Sequence, residues 1–116
     1  MIDLCLLTKM KKIIETTYAP APIGPYSQAV MANGVLYTSG QIAIDPKTGE
    51  LVNSSIKEET KMVMENIKAV LTEAGLDFSN IVKCSIFISD MDNFSRINAV
   101  YGEYFTENPP ARETVE

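Results

Sequence analysis

Arg112 follows Pro109-Pro110-Ala111 at the start of a segment with strand character. A rigid approach of this kind fixes the backbone, and a planar guanidinium can then grip a carboxylate through two parallel hydrogen bonds. An arginine so placed can equally pair with Glu113 or Glu116 at the surface. Asn98 falls on the flank of an apolar helical stripe beside Phe94, Tyr101 and Phe105, where an amide must bond either a ligand or nearby backbone. Tyr26 and Ser39 can share one face of a hairpin, there to line a pocket or to bond locally. Cys84 sits in an apolar run and reads as a core thiol, since nothing near it in sequence favours a thiolate.

Several classes of chemistry are excluded. The 116 residues contain no His, which removes the commonest general base and the commonest metal ligand. Ten Lys plus Arg against fifteen Asp plus Glu give a net charge of -5, so no broad basic surface is available to nucleic acid. No Gly-x-Gly-x-x-Gly or Gly-Lys-Ser/Thr loop occurs, no carboxylate pair is assigned by spacing, and neither metal nor cofactor is expected. Cys5 and Cys84 are too few for a disulfide framework. The apolar patch Leu4 to Leu7 precedes its positive charges instead of following them, and no stretch approaches the roughly 20 residues of a membrane helix. A cytoplasmic protein without membrane contact is the expectation, with Met10 a possible initiator and residues 1–9 an extension.

The elements that must position these residues follow from turns and periodicity. Tyr26 to Ala32 and Val35 to Ile42 flank Asn33-Gly34, a pair that accepts positive φ at both turn positions. That turn sets Ala32 opposite Val35, Val30 opposite Tyr37, Gln28 opposite Ser39 and Tyr26 opposite Gln41. Ser55 and Glu58 have capping-box spacing ahead of a long helix with Ile56, Thr60, Val63, Ile67, Val70, Leu71 and Ala74 on one face, stopped by Gly75. Ile81 to Ile88 reads as a central strand, with Val82, Cys84, Ile86 and Ile88 on one face. Asp92 can cap a second helix bearing Phe94, Ile97, Val100, Tyr101, Tyr104 and Phe105, and a last strand starts near Ala111. The order predicts a two-layer α+β fold with two helices on one face of a mostly antiparallel sheet. The opposite face, carrying Val30, Val35 and Tyr37, then lacks a cover and predicts a closed homo-oligomer.

In order along the chain stand Ile23-Gly24-Pro25-Tyr26-Ser27-Gln28-Ala29, Leu36-Tyr37-Thr38-Ser39-Gly40-Gln41-Ile42, Asn66, Ala74-Gly75-Leu76, Asn98-x-x-Tyr101 and Pro110-Ala111-Arg112. Together they resemble the RidA family, also called YjgF or reactive intermediate deaminase, over Met10 to Glu116, which makes residues 10–116 one RidA-like domain. The resemblance implies a chorismate-mutase-like α+β subunit in a homotrimer, its sheets forming a barrel and its sites lying between subunits. It implies hydrolysis of 2-imino acids such as 2-iminobutanoate and 2-iminopropanoate to 2-oxo acids and ammonia. Arg112 becomes the substrate-carboxylate clamp, Tyr26, Ser39, Gly40 and Asn98 line the pocket, and the backbone at Thr114, where many relatives have Cys, meets the imine end.

The resemblance further implies one more strand after Glu116, carrying a Glu that activates water. Glu116 does not hold that motif position. A chain ending at Glu116 is therefore expected to trimerise while its hydrolysis is weakened. Two alternative functions are a non-catalytic regulator that binds 2-oxo acids and, with weaker physical support in a chain lacking His, a ribonuclease or translation inhibitor.

Overall fold

The structure is a computed structural model that describes residues 11–116. The readings of residues 1–9, of Met10 and of Cys5 lie outside the described residues. Strand β1, Lys11–Ile14, pairs antiparallel with β2, Ala29–Ala32, which turns back into β3, Val35–Thr38. Asn33 and Gly34 have φ of 51° and 77°, the left-handed conformations this two-residue turn requires. The pairs Val30 with Tyr37 and Ala32 with Val35 form as the turn dictates. Ser39 still follows the register by donating its N–H to the Gln28 carbonyl at 2.9 Å.

The hairpin is shorter than its sequence pattern suggests. Tyr26 does not reach the ladder opposite Gln41, because its N–H is turned back onto the Gly24 carbonyl at 2.8 Å, next to Pro25. A short antiparallel bridge, Ile44 with Leu51, follows across the turn at Gly49.

Helix α1, Ile56–Glu73, starts where the Ser55 side chain accepts the Glu58 N–H, and it stops at Gly75, whose φ is 77°. Its Val70 packs with Ile14, Ala19 and Ala29, and Leu36, Ala69 and Ala74 surround this centre. The expected apolar stripe faces inward, with Val70 and Leu71 buried and Ile56, Thr60, Val63, Ile67 and Ala74 half-buried, and it is widened by the buried Met64 and Asn66.

Two buried amides stitch this layer together. Gln28, 3% exposed, accepts from the Thr16 N–H and donates to the carbonyls of Thr16, Ala19 and Pro20. Asn66, 1% exposed, donates to the carbonyls of Ile42 and Ile44. Both satisfy backbone groups that have no ladder partner, the condition for burying an irregular segment.

Strand β4, Lys83–Phe87, pairs in parallel with β5, Ala111–Val115, and helix α2, Phe94–Gly102, makes the crossover. Two expectations are corrected here. Among the described residues β4 pairs on one side only, so it is not a central strand, and the β1–β2–β3 and β4–β5 sheets share no ladder. The second helix is not capped by Asp92. Asp90 instead accepts the Asp92 N–H, opening the 3-10 turn Met91–Asn93 that leads into α2. Tyr104 and Phe105 lie beyond the helix end, and both rings pack on Phe78.

Cys84 and Ile86 point inward on β4 as expected, but Val82 is 81% exposed, just outside the ladder. The helices pack side by side, with α1 behind the first sheet and α2 behind the second, which is the two-layer arrangement expected. The opposite faces stay open, exposing Ile13, Val35 and Tyr37 on one sheet and Phe87 and Val115 on the other. Among the described residues no helix is long and apolar enough to cross a membrane.

Candidate functional site

Arg112 occupies the second position of β5, opposite Cys84, on the face that α2 covers. Alternation along the strand turns Ala111, Glu113 and Val115 outward and leaves Arg112 and Thr114 half-buried. Its Nη1 donates to Asn98 Oδ1 at 2.6 Å. Its Cζ lies 5.5 Å from the Phe94 ring centroid and 4.9 Å from that of Tyr101. The surface ion pairs that the sequence left open do not form. Glu113 accepts from the Ser85 hydroxyl and pairs with Lys83, and the Glu116 side chain accepts the Met91 N–H. Arg112 therefore keeps most of its N–H groups without a partner among the described residues.

Asn98 is exposed, not buried as its place on the stripe implied, and its oxygen is turned to the guanidinium. Tyr101 is buried, and its hydroxyl has no hydrogen-bond partner among the described residues. Burial is the main reason its phenol is pushed well above the usual range. The neighbouring Cys84 thiol adds to the shift, and Arg112 opposes it. Cys84 itself is a half-buried free thiol, in keeping with a packing role.

Tyr26, Ser39 and Gly40 lie elsewhere, at the open end of the β2–β3 hairpin. The Ser39 hydroxyl donates to the Ser27 carbonyl at 2.6 Å, which leaves its oxygen free to accept. Tyr26 is half exposed, with its ring beside Gly24. A side chain at Gly40 would meet no atom within 4 Å. Among the described residues no hydrogen bond joins Tyr26 to Ser39, or either of them to Arg112, Asn98 or Thr114. The chain thus carries two separate clusters, a braced guanidinium on β5 and α2 and a hydroxyl-bearing group on the hairpin.

Sequence reasoning named Arg112 and Asn98 but missed that Phe94 and Tyr101 act on the guanidinium, although the spacing 94, 98 and 101 was the available signal. It also missed Gln28 and Asn66 as supports. A third feature, an open cleft of about 620 Å³ between Thr16, Asp45, Lys47, Glu65 and Lys68, contains none of the expected site residues.

Residues 16–116 match the family described as Endoribonuclease L-PSP. A RutC family protein of Pyrococcus horikoshii is 51% identical over 107 residues, covering 92% of this chain and 85% of that one. A Bos taurus protein named 2-iminobutanoate/2-iminopropanoate deaminase is 47% identical over 103 residues, covering 89% of this chain and 75% of its own. The crystal structure of the YjgF gene product from E. coli superposes with a TM-score of 0.86 at 41% identity, covering 90% of this chain and 84% of that one.

Proposed function

The chain belongs to the endoribonuclease L-PSP family, the RidA or YjgF proteins, and on that premise we propose that it hydrolyses small 2-imino acids, such as 2-iminobutanoate and 2-iminopropanoate, to 2-oxo acids and ammonia. The observation that carries this reading is the half-buried Arg112, braced by Asn98 and two aromatic rings with most of its donors unspent. A planar cation with a free edge fits the carboxylate of a 2-imino acid in bidentate fashion. Mammalian relatives at 45% and 47% identity carry the name of this activity.

The chemistry asks little of the protein. Water adds to the imine carbon, the resulting tetrahedral aminoalcohol loses ammonia, and the C=N bond is replaced by C=O. A protonated imine carbon is already electrophilic, so orientation of substrate and water supplies much of the acceleration. Arg112 anchors the carboxylate, and the Thr114 backbone, two residues along the same face, meets the imine end. Tyr26, Ser39 and Gly40 close the pocket from another subunit of a homotrimer, in which the exposed Ile13, Val35 and Tyr37 face is buried. Separation of the two clusters within one protomer supports this assignment, as does the apolar character of the open face. A cytoplasmic location suits metabolites of this kind.

RNA cleavage is the weaker reading for a chain with no His and a net charge of -5. The test is to follow hydrolysis of 2-iminobutanoate, generated in place by a threonine dehydratase, with Arg112→Ala and Tyr26→Phe variants. Arg112→Ala should abolish turnover while assembly persists, and unchanged turnover refutes the clamp. Mixed trimers of the two variants should regain part of the activity, since some clefts then receive both intact halves. No recovery on mixing refutes the shared site.

A further inference from the structure

Phe94, Asn98 and Tyr101 stand at i, i+4 and i+7 of α2, so they form one row two turns long on the side facing β5. Arg112 enters this row with its Cζ over both rings, and Asn98 between them takes one Nη1 hydrogen. Four torsions separate a guanidinium from its backbone, so a free arginine would spread its charge over many positions. The rings restrict the plane of the group, and the amide restricts rotation within that plane. The Tyr101 hydroxyl bonds nothing among the described residues although the residue is 8% exposed, so what Tyr101 offers Arg112 is its ring face. Ring faces attract a guanidinium without consuming its N–H groups, and they keep water from one side of it.

We propose that Phe94 and Tyr101 are positioning residues that hold the Arg112 guanidinium flat and partly dehydrated, so that its free edge meets a ligand carboxylate with two parallel hydrogen bonds. This rests on the reading of Arg112 as a carboxylate clamp.

The test uses the assembled full chain, with 2-oxobutanoate binding measured by calorimetry beside 2-iminobutanoate hydrolysis. Phe94→Leu and Tyr101→Leu should each weaken binding by about three- to thirtyfold and raise KM correspondingly, with kcat little changed. Tyr101→Phe keeps the ring and should restore binding. In an Arg112→Lys background the same leucine substitutions should cost less than about twofold, because an ammonium has no plane to hold. A purely structural role for the rings would cost as much with Lys as with Arg, and that result overturns the proposal.

Wild-type affinity in the leucine variants also overturns it. If Tyr101→Leu fails to fold, the half-buried Phe94 carries the same comparison alone. A wild-type chain that binds no 2-oxobutanoate and hydrolyses no imine overturns the clamp reading itself, a result separate from intact wild-type binding with indifferent leucine variants.

Discussion

Replacing Gln28 by Met keeps the length of the side chain and removes every polar atom from it. The amide is 3% exposed and engages four backbone groups, the Thr16 N–H at 2.7 Å and the carbonyls of Thr16 at 3.0 Å, Pro20 at 2.9 Å and Ala19 at 3.3 Å. Ala19 is itself buried, so its carbonyl stays dry when the amide goes, whereas Thr16 and Pro20 are half-buried and regain some water. At about 1 kcal/mol per net hydrogen bond, and more for a group left unpaired, Gln28→Met should cost about 3 kcal/mol. For a chain of this size that lowers the thermal midpoint by roughly 12 °C. The assay is thermal and urea unfolding at a fixed protein concentration, since association shifts apparent stability.

Gln28→Glu sharpens the test. A carboxylate keeps an acceptor for the Thr16 N–H but opposes three carbonyl oxygens, so the folded state raises its pKa above the unfolded value of about 4.3. The deficit relative to wild type is therefore small below that value, where a protonated carboxyl can donate, and grows as pH rises. A loss under about 1 kcal/mol for Gln28→Met, or equal destabilisation by Gln28→Glu at pH 4 and pH 7, refutes the reasoning.

Asn66→Leu removes the donor to the Ile42 and Ile44 carbonyls and should cost about 2 kcal/mol. Hydrogen exchange at the Val52 amide, which bonds the Ala43 carbonyl, should quicken with it, and an unaltered rate counts against the stitching role. Tyr101→Phe deletes a buried oxygen that has no partner among the described residues, so it should leave urea stability unchanged or raise it by up to about 1 kcal/mol, and a clear loss would mean the hydroxyl is bonded after all. The Ser85 hydroxyl, and next the Lys83 charge, hold the Glu113 carboxyl below the usual carboxylate range. A lowered folded value supports the fold above the unfolded pKa, and that support fades as pH falls through the folded one. Ser85→Ala should shift the Glu113 titration upward in an NMR pH series, and no shift would remove the hydroxyl as the cause.

Legibility in the sequence divided along physical lines. The hairpin register was readable because Asn33-Gly34 admits few turn geometries, and α1 because Ser55 and Gly75 bracket a long amphipathic run. Strand β1 was not readable, since Lys11-Lys12-Ile13-Ile14 does not alternate and acquires its faces only by pairing with β2. The choice of Asp90 over Asp92 as cap depends on where β4 ends. Gln28 and Asn66 were hidden as supports because their partners are carbonyls 8 to 24 residues away that no side-chain pattern encodes. At the candidate site, residue types singled out Arg112 and Asn98. Their union required the parallel pairing of β4 with β5, which turns Arg112 under α2 and away from Glu113.

Among the described residues, the crossover unit from β4 through α2 to β5 contains the hydrogen-bond and ring partners of the Arg112 guanidinium, Phe94, Asn98 and Tyr101, and the strand that bears it. Arg112 and these three neighbours therefore form a self-contained module on one contiguous stretch of chain. Hairpin residues 26–40 share no hydrogen bond with it, so substitutions in the two regions of one protomer should combine additively in their effect on stability. Under the proposed function, the hairpin end of the pocket can then be altered by substitution while the Arg112 grip on the carboxylate stays as it is.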